Sequence, residues 1–126
     1  MATKRKKTKY NQKELKEFES IIDDKLSKAQ ENLDYYLAQI QDIANNPDSK
    51  LKGLDDASTQ LQNERLYTMA ARQRKLIQHL GNAKLRIKNG VYGICRETGE
   101  LISPERLKAV PHATLSIAAK QKQLKR

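Results

Sequence analysis

Cys95 is the only cysteine of the 126 residues, and His79 and His112 are the only histidines. Acyl transfer or thiol chemistry needs a nucleophile, a base to take its proton and a group that orients the base. Neither histidine has a serine, cysteine or carboxylate at a recognisable motif spacing. Phosphate-cradling glycines are missing too: the chain has no P-loop and no Rossmann G-x-G-x-x-G turn. A lone cysteine excludes an internal disulfide and fits a reducing cytoplasm. These residues predict a protein that is not an enzyme and acts by contact.

What chemistry remains is electrostatic. Lys and Arg number 25 against 15 Asp and Glu, a formal net charge of +10. Such a surplus asks for an acidic partner, either nucleic acid or a protein surface rich in carboxylates. Against that background Asp55-Asp56 is the notable acidic pair. As an N-cap it would meet the positive end of a following helix, and at a turn between two helices it would also be presented outward.

The elements that hold these groups follow from pattern. Apolar residues make up 37% and charged residues 32%, against roughly 45–50% and ~25% in average globular chains. Long solvated helices suit that composition better than one large round core. No stretch of about 18 apolar residues occurs, so no membrane span is predicted. The basic start has no apolar run behind it and is not a secretory signal. Residues 1–9 (MATKRKKTK) read as a disordered basic arm, since they bury too little to offset their ordering entropy.

Asn11 and Glu14 have the spacing of a capping box and open a helix. Behind them come Leu15, Phe18, Ile22, Leu26, Ala29, Leu33, Tyr36, Ile40 and Ile43, a coiled-coil seam in alternating steps of three and four with one four in excess. Asn45-Asn46-Pro47 stops it. A second apolar series, Leu61, Leu66, Met69, Leu76, Leu80, Ala83 and Ile87, ends at Asn89-Gly90. Two long helices around a turn near 46–57 predict an antiparallel coiled-coil hairpin over residues 10–90. Residues 10–46 carry eight acids and four bases, while 57–90 carry seven bases and one acid, so the arms attract. Gly81, inside the second arm, marks a place for a bend or close packing.

Residues 91–126 form a compact turn-rich unit with a C-terminal helix. Ser103-Pro104-Glu105 starts a short helix, with serine as N-cap and proline at the first position. The last helix begins near Leu115, capped by Thr114. Within this unit stands Tyr92-Gly93-Ile94-Cys95-Arg96-Glu97-Thr98-Gly99-Glu100, followed by Arg106-Leu107 and then Pro111-His112-Ala113-Thr114-Leu115-Ser116-Ile117-Ala118-Ala119-Lys120. It resembles the signature of the DksA/TraR family of bacterial transcription factors, Y-G-x-C-x-x-C-G and then R-L-x-A-x-P-x-A-x-L-C-I-x-C. The match is ungapped over about thirty residues, and with the hairpin the resemblance extends over most of 10–125.

The resemblance implies a mainly α fold: a long hairpin plus a small finger. Where zinc-binding members have four cysteines, this chain has Cys95, Thr98, Ser116 and Ala119. Zinc needs four ligating donors, so a degenerate, metal-free finger is expected, packed on Ile94, Leu101, Leu107, Leu115 and Ile117. Cys95 is then expected to be a small buried residue.

The resemblance also implies RNA polymerase as partner, with the hairpin entering the secondary channel and modulating promoter complexes. The family's tip motif D-x-x-D-x-A falls on residues 52–57: Asp55 and Ala57 match, Asp56 adds an acid, and Lys52 replaces the first aspartate. The contacts some relatives make to ppGpp fall on Arg72, Leu76, His79, Val110 and Lys120. His79 stands where lysine is usual and Val110 replaces an arginine, so ppGpp coupling is expected to be weak or absent. Sequence-specific DNA binding is not expected. Non-specific nucleic-acid binding by the basic helix, or a structural coiled-coil adaptor, is the rival reading.

Overall fold

The computed structural model describes residues 9–45 and 57–124. The basic arm apart from Lys9, the turn region at 46–56, and with it Asp55 and Asp56, lie outside the described residues. Four helices follow in order: α1 (Gln12–Asn45), α2 (Ala57–Lys88), α3 (Pro104–Ala109) and α4 (Ile117–Leu124). The fold is mainly α, with α1 and α2 as the antiparallel hairpin. Among the described residues a single antiparallel bridge, Ile94 with Leu101, is the one β feature.

The ends of the long helices obey their local chemistry. At the start of α1, the Asn11 amide donates to Glu14 Oε1 at 3.0 Å while the Glu14 amide donates to Asn11 Oδ1 at 2.8 Å, a reciprocal capping box. At the end of α2 the Val91 amide reaches Arg86 O and the Gly90 amide reaches Ile87 O, at 3.0 and 3.1 Å. That is a Schellman closure, and Gly90 supplies the left-handed φ of +75° it requires.

The chain divides into two compact units: the described parts of Met1–Lys25 with His79–Arg126, and Leu26–Gln78. In the first, Phe18 and Ile22 of α1 and Leu80 and Ala83 of α2 are buried. Fully burying a side chain of the size of Ile22 or Leu80 contributes about 1.5–3 kcal/mol. Lys84 Nζ lies 2.7 Å from Asp23 Oδ1, with both side chains near half exposed. Such a solvated pair orients the helices more than it stabilises them. In the second unit Ala29, Leu33 and Ala70 are buried, and the other seam residues of α1, namely Leu26, Tyr36, Ile40 and Ile43, are half-buried.

The seam of α2 differs from the expected series. Leu61 is 52% exposed. The row turned inward runs 63, 66, 70, 73, 77, 80, 84 and 87, a strict three–four alternation. Asn63 and Gln73 occupy it as half-buried polar residues, and Gln73 Oε1 is buried without a hydrogen-bond partner. Apolar residues alone therefore miss the register, because two of its positions are amides. Gly81 also corrects an expectation: a Cβ there would meet nothing within 4 Å, so close packing does not explain it.

Candidate functional site

The finger is built on the N-terminal end of the chain as much as on its own residues. Tyr10, immediately before α1, is buried, and its hydroxyl donates to Ile102 O. Its ring lies against Gly93, where a Cβ would come within 2.6 Å of Tyr10 Cε2, and Gly93 has φ +78°. Space and backbone conformation both demand glycine here. Phe18 sits edge-on to Tyr10 at 5.1 Å between ring centroids and packs against Tyr92 at 5.4 Å. The Tyr92 hydroxyl donates to Pro111 O at 2.8 Å, and burial pushes its pKa well above the ordinary tyrosine value.

Around the bridge of Ile94 and Leu101, the Ile102 amide donates to Gly93 O and the Cys95 amide to Glu100 O, both at 2.7 Å. This tight loop presents Cys95, which is 1% exposed. The Ser116 amide donates to Cys95 Sγ at 3.3 Å, and the thiol lies 3.7 Å from Ser116 Oγ. Burial pushes the thiol up, but hydrogen bonds from Thr98 and Ser116, through hydroxyl and amide of each, outweigh it and bring the pKa to about 6. Ser116 Oγ also accepts from the Ala119 amide at 3.2 Å. Ser116 is thus the N-cap of α4, two residues beyond the expected Thr114. Ile117, expected in the core, is 52% exposed on the first turn of that helix, and the buried positions are Ile102, Leu107, Ala113, Leu115 and Ala119. Ile94 and Leu101 are half-buried.

The four positions Cys95, Thr98, Ser116 and Ala119 therefore do converge, and Thr98 and Ala119 line a small cavity of about 80 Å³ beside Glu97, Lys122 and Gln123. Their donor set does not suit zinc. One thiol, two neutral hydroxyls and a methyl provide a single good ligand where a tetrahedral site needs four. Among the described residues no cluster of three or more His, Cys, Asp or Glu could hold a metal.

A larger cleft of about 410 Å³ opens between α2 and the finger, lined by cations: His79 and Arg86 from α2, Arg96, Arg106 from α3, His112, and Lys120 from α4. Val110 is in its wall. Two of the arginines are engaged. Arg86 Nη2 donates to His112 O at 3.3 Å, and Arg106 Nε donates to Leu115 O at 2.9 Å. Burial lowers the Arg86 pKa. The cleft brings together His79, Val110 and Lys120 of the residues singled out in the sequence. Arg72, exposed, and Leu76, half-buried, belong to the other compact unit. Ala57, exposed, is the first residue of α2.

Sequence reasoning did not foresee Tyr10 as part of the finger, nor Arg86, Arg96, Arg106 and His112 as neighbours. The signal for Tyr10 was Gly93, since a glycine at a position of left-handed φ with a close neighbour needs a flat ring or backbone beside it.

Residues 90–123 match the family described as the prokaryotic dksA/traR C4-type zinc finger. The structure of transcription factor DksA2 from Pseudomonas aeruginosa superposes with a TM-score of 0.78, at 28% identity, over 90% of this chain and 84% of that one. The chain belongs to the DksA/TraR family. Another DksA/TraR relative, the RNA polymerase-binding transcription factor DksA of Caulobacter vibrioides, is 47% identical over 55 residues, 44% of this chain. General stress protein 16O of Bacillus subtilis is 41% identical over 46 residues, 36% of this chain. The matched segments span 39% and 28% of those two proteins. The four cysteines of a C4 finger are reduced in this DksA/TraR member to Cys95 alone.

Proposed function

We propose that this chain is a transcription regulator that binds RNA polymerase, acting by contact in the cytoplasm and not as an enzyme. The observation that carries the reading is the likeness to DksA2 over nine-tenths of the chain, supported by the name of the Caulobacter relative. No helix among the described residues is long and apolar enough to cross a membrane. In this reading the hairpin enters the secondary channel of the polymerase and brings Asp55, Asp56 and Ala57 near its active centre. There the carboxylates shift the stability of promoter complexes by binding one state better than another, which changes populations without chemistry. The domain plan that serves it is a basic arm over 1–9, the hairpin over 10–90 and the finger with its helix over 91–126.

The cationic cleft with His79, Val110 and Lys120 faces the polymerase in the same reading. Because Val110 offers no guanidinium for bidentate phosphate binding, and Arg86 and Arg106 are tied to carbonyls, ppGpp contributes little or nothing there. The test is retention of the chain by core RNA polymerase with the secondary channel open and with it blocked. Retention only with the channel open, with crosslinks from position 55 landing near the active centre, is the expected result. Binding to DNA or RNA without polymerase, with a steep loss on adding salt, would instead favour the nucleic-acid reading.

A further inference from the structure

His112 occupies a position with unusual electrostatics. Its ring stacks on that of His79, with centroids 5.6 Å apart and planes 11° from parallel. Its carbonyl accepts from Arg86, and its Nδ1 is buried with no hydrogen-bond partner. The groups that face it are all of one sign or neutral: Lys25 of α1, His79 and Arg86 of α2, Arg96, Arg106 of α3 and Lys120 of α4. Among the described residues no carboxylate lines the cleft.

We propose that His112 is a proton-operated clasp, which fastens the finger to α2 through its stack on His79 while neutral and lets go when the ring is protonated. Two physical arguments converge on it. A proton on Nδ1 makes a buried donor for which no acceptor stands within reach, and an unmade buried hydrogen bond costs about 1–3 kcal/mol. The added charge also meets only cations, at short range and partly out of water. Burial, then His79, Arg86 and Lys25, accordingly lower its pKa from the ordinary 6.5.

The sign follows from linkage. A histidine held below its unfolded value binds fewer protons folded than unfolded, so stability is full above pH 6.5 and is lost as the pH falls below it. The finger is thereby loosened in the mildly acidic range, where histidine alone among unperturbed side chains changes charge. This clasp lies within the isolated chain and does not depend on the polymerase reading.

The test follows the imidazole signals and amide protection of the full chain by NMR, alongside urea unfolding, between about pH 7.5 and 5.5. His112 is expected to titrate below 6.5, and protection around Pro111–Leu115 is expected to fall in step with it. The unfolding constant of the wild type should rise about threefold or more across this range, while that of His112→Gln changes much less. Cys95 also sheds stability on acidification, but equally in both proteins, so the difference between them isolates His112. If His112→Gln does not fold, His79→Gln, at an exposed position, should move the His112 midpoint upward. Titration of His112 at or above the ordinary value, unchanged finger protection as it titrates, parallel unfolding curves, or no movement in His79→Gln would each overturn the proposal.

Discussion

The two compact units are stabilised by different means. In the unit that carries the finger, buried groups come from every element: Tyr10 and Phe18, Leu80 and Ala83, Tyr92, Cys95, Ile102, Leu107, Pro111 and Ala119. Buried hydroxyls there end on carbonyls, as Tyr10 does on Ile102 and Tyr92 on Pro111. In the unit of residues 26–78, burial below one-tenth exposure is confined to Ala29, Leu33 and Ala70, and an orphaned amide oxygen of Gln73 sits in the seam. The first is a three-dimensional core; the second is a two-helix seam, which can bury only one stripe of each helix. A core fixes residues from several directions and suits a base that must hold its shape. A seam with polar interruptions resists bending and sliding less.

The largest expected effect breaks this comparison directly. Leu107 is fully buried in the finger core, so Leu107→Ala should cost about 2–5 kcal/mol, most of it transfer and cavity terms. Leu33→Ala in the other unit should cost at the low end of that range, because a two-helix seam collapses and admits water more readily. Urea midpoints of the two variants check the ranking, and equal losses would remove the distinction. Next in size is Tyr10→Phe. It keeps the ring on Gly93 but leaves Ile102 O without the hydroxyl, and an orphaned buried carbonyl costs about 1–3 kcal/mol. Loss of finger amide protection in this variant, read by hydrogen exchange, would show the residue before α1 acting as part of the finger.

How much of this was legible beforehand depends on how local the cause was. The capping box of Asn11 and Glu14, the Ser103-Pro104 helix start and the Asn89-Gly90 stop are set by neighbours within a few residues, and each appears as read. The α1 seam was legible because all nine of its positions are apolar or aromatic and none is exposed. The α2 seam was not, because Asn63 and Gln73 hold two of its places and a reading based on hydrophobicity passes over them to Leu61. In the finger, the family signature located Cys95, Thr98, Ser116 and Ala119, but the N-cap fell on Ser116 because its hydroxyl serves Ala119 and Cys95 together. The cationic cleft could not be read at all, since residues 79, 86, 96, 106, 112 and 120 have no common period. Tertiary packing alone brings them together.

Gln73 sharpens the contrast with a smaller effect of opposite sign. Gln73→Leu removes a buried carbonyl oxygen that has no partner and supplies an apolar side chain to the seam. Thermal unfolding should show a gain of about 1 kcal/mol, confined to the second unit if hydrogen exchange is followed residue by residue. No gain would mean that the amide is satisfied by water in solution, and that the seam is less frustrated than its packing suggests.

The smallest effect concerns the cysteine that remains of the finger's ligand positions. Ser116→Ala deletes the cap on Ala119 and one of the hydrogen bonds to Cys95, and should cost about 1 kcal/mol. The thiol should then titrate above its value of about 6, because one stabilising donor is gone while burial is unchanged. A thiol held below its unfolded value adds stability at alkaline pH and loses it as the pH falls through the folded value. From pH 9 down to about 6 the wild type should therefore lose stability more steeply than Ser116→Ala. Ultraviolet absorbance of the thiolate, measured beside urea unfolding at each pH, checks both parts. Cys95 should meanwhile resist alkylation in the folded chain, since a sulfur 1% exposed is protected by access whatever its charge. Rapid labelling under native conditions would mean that the loop opens often, and that the finger is less rigid than the core that holds it.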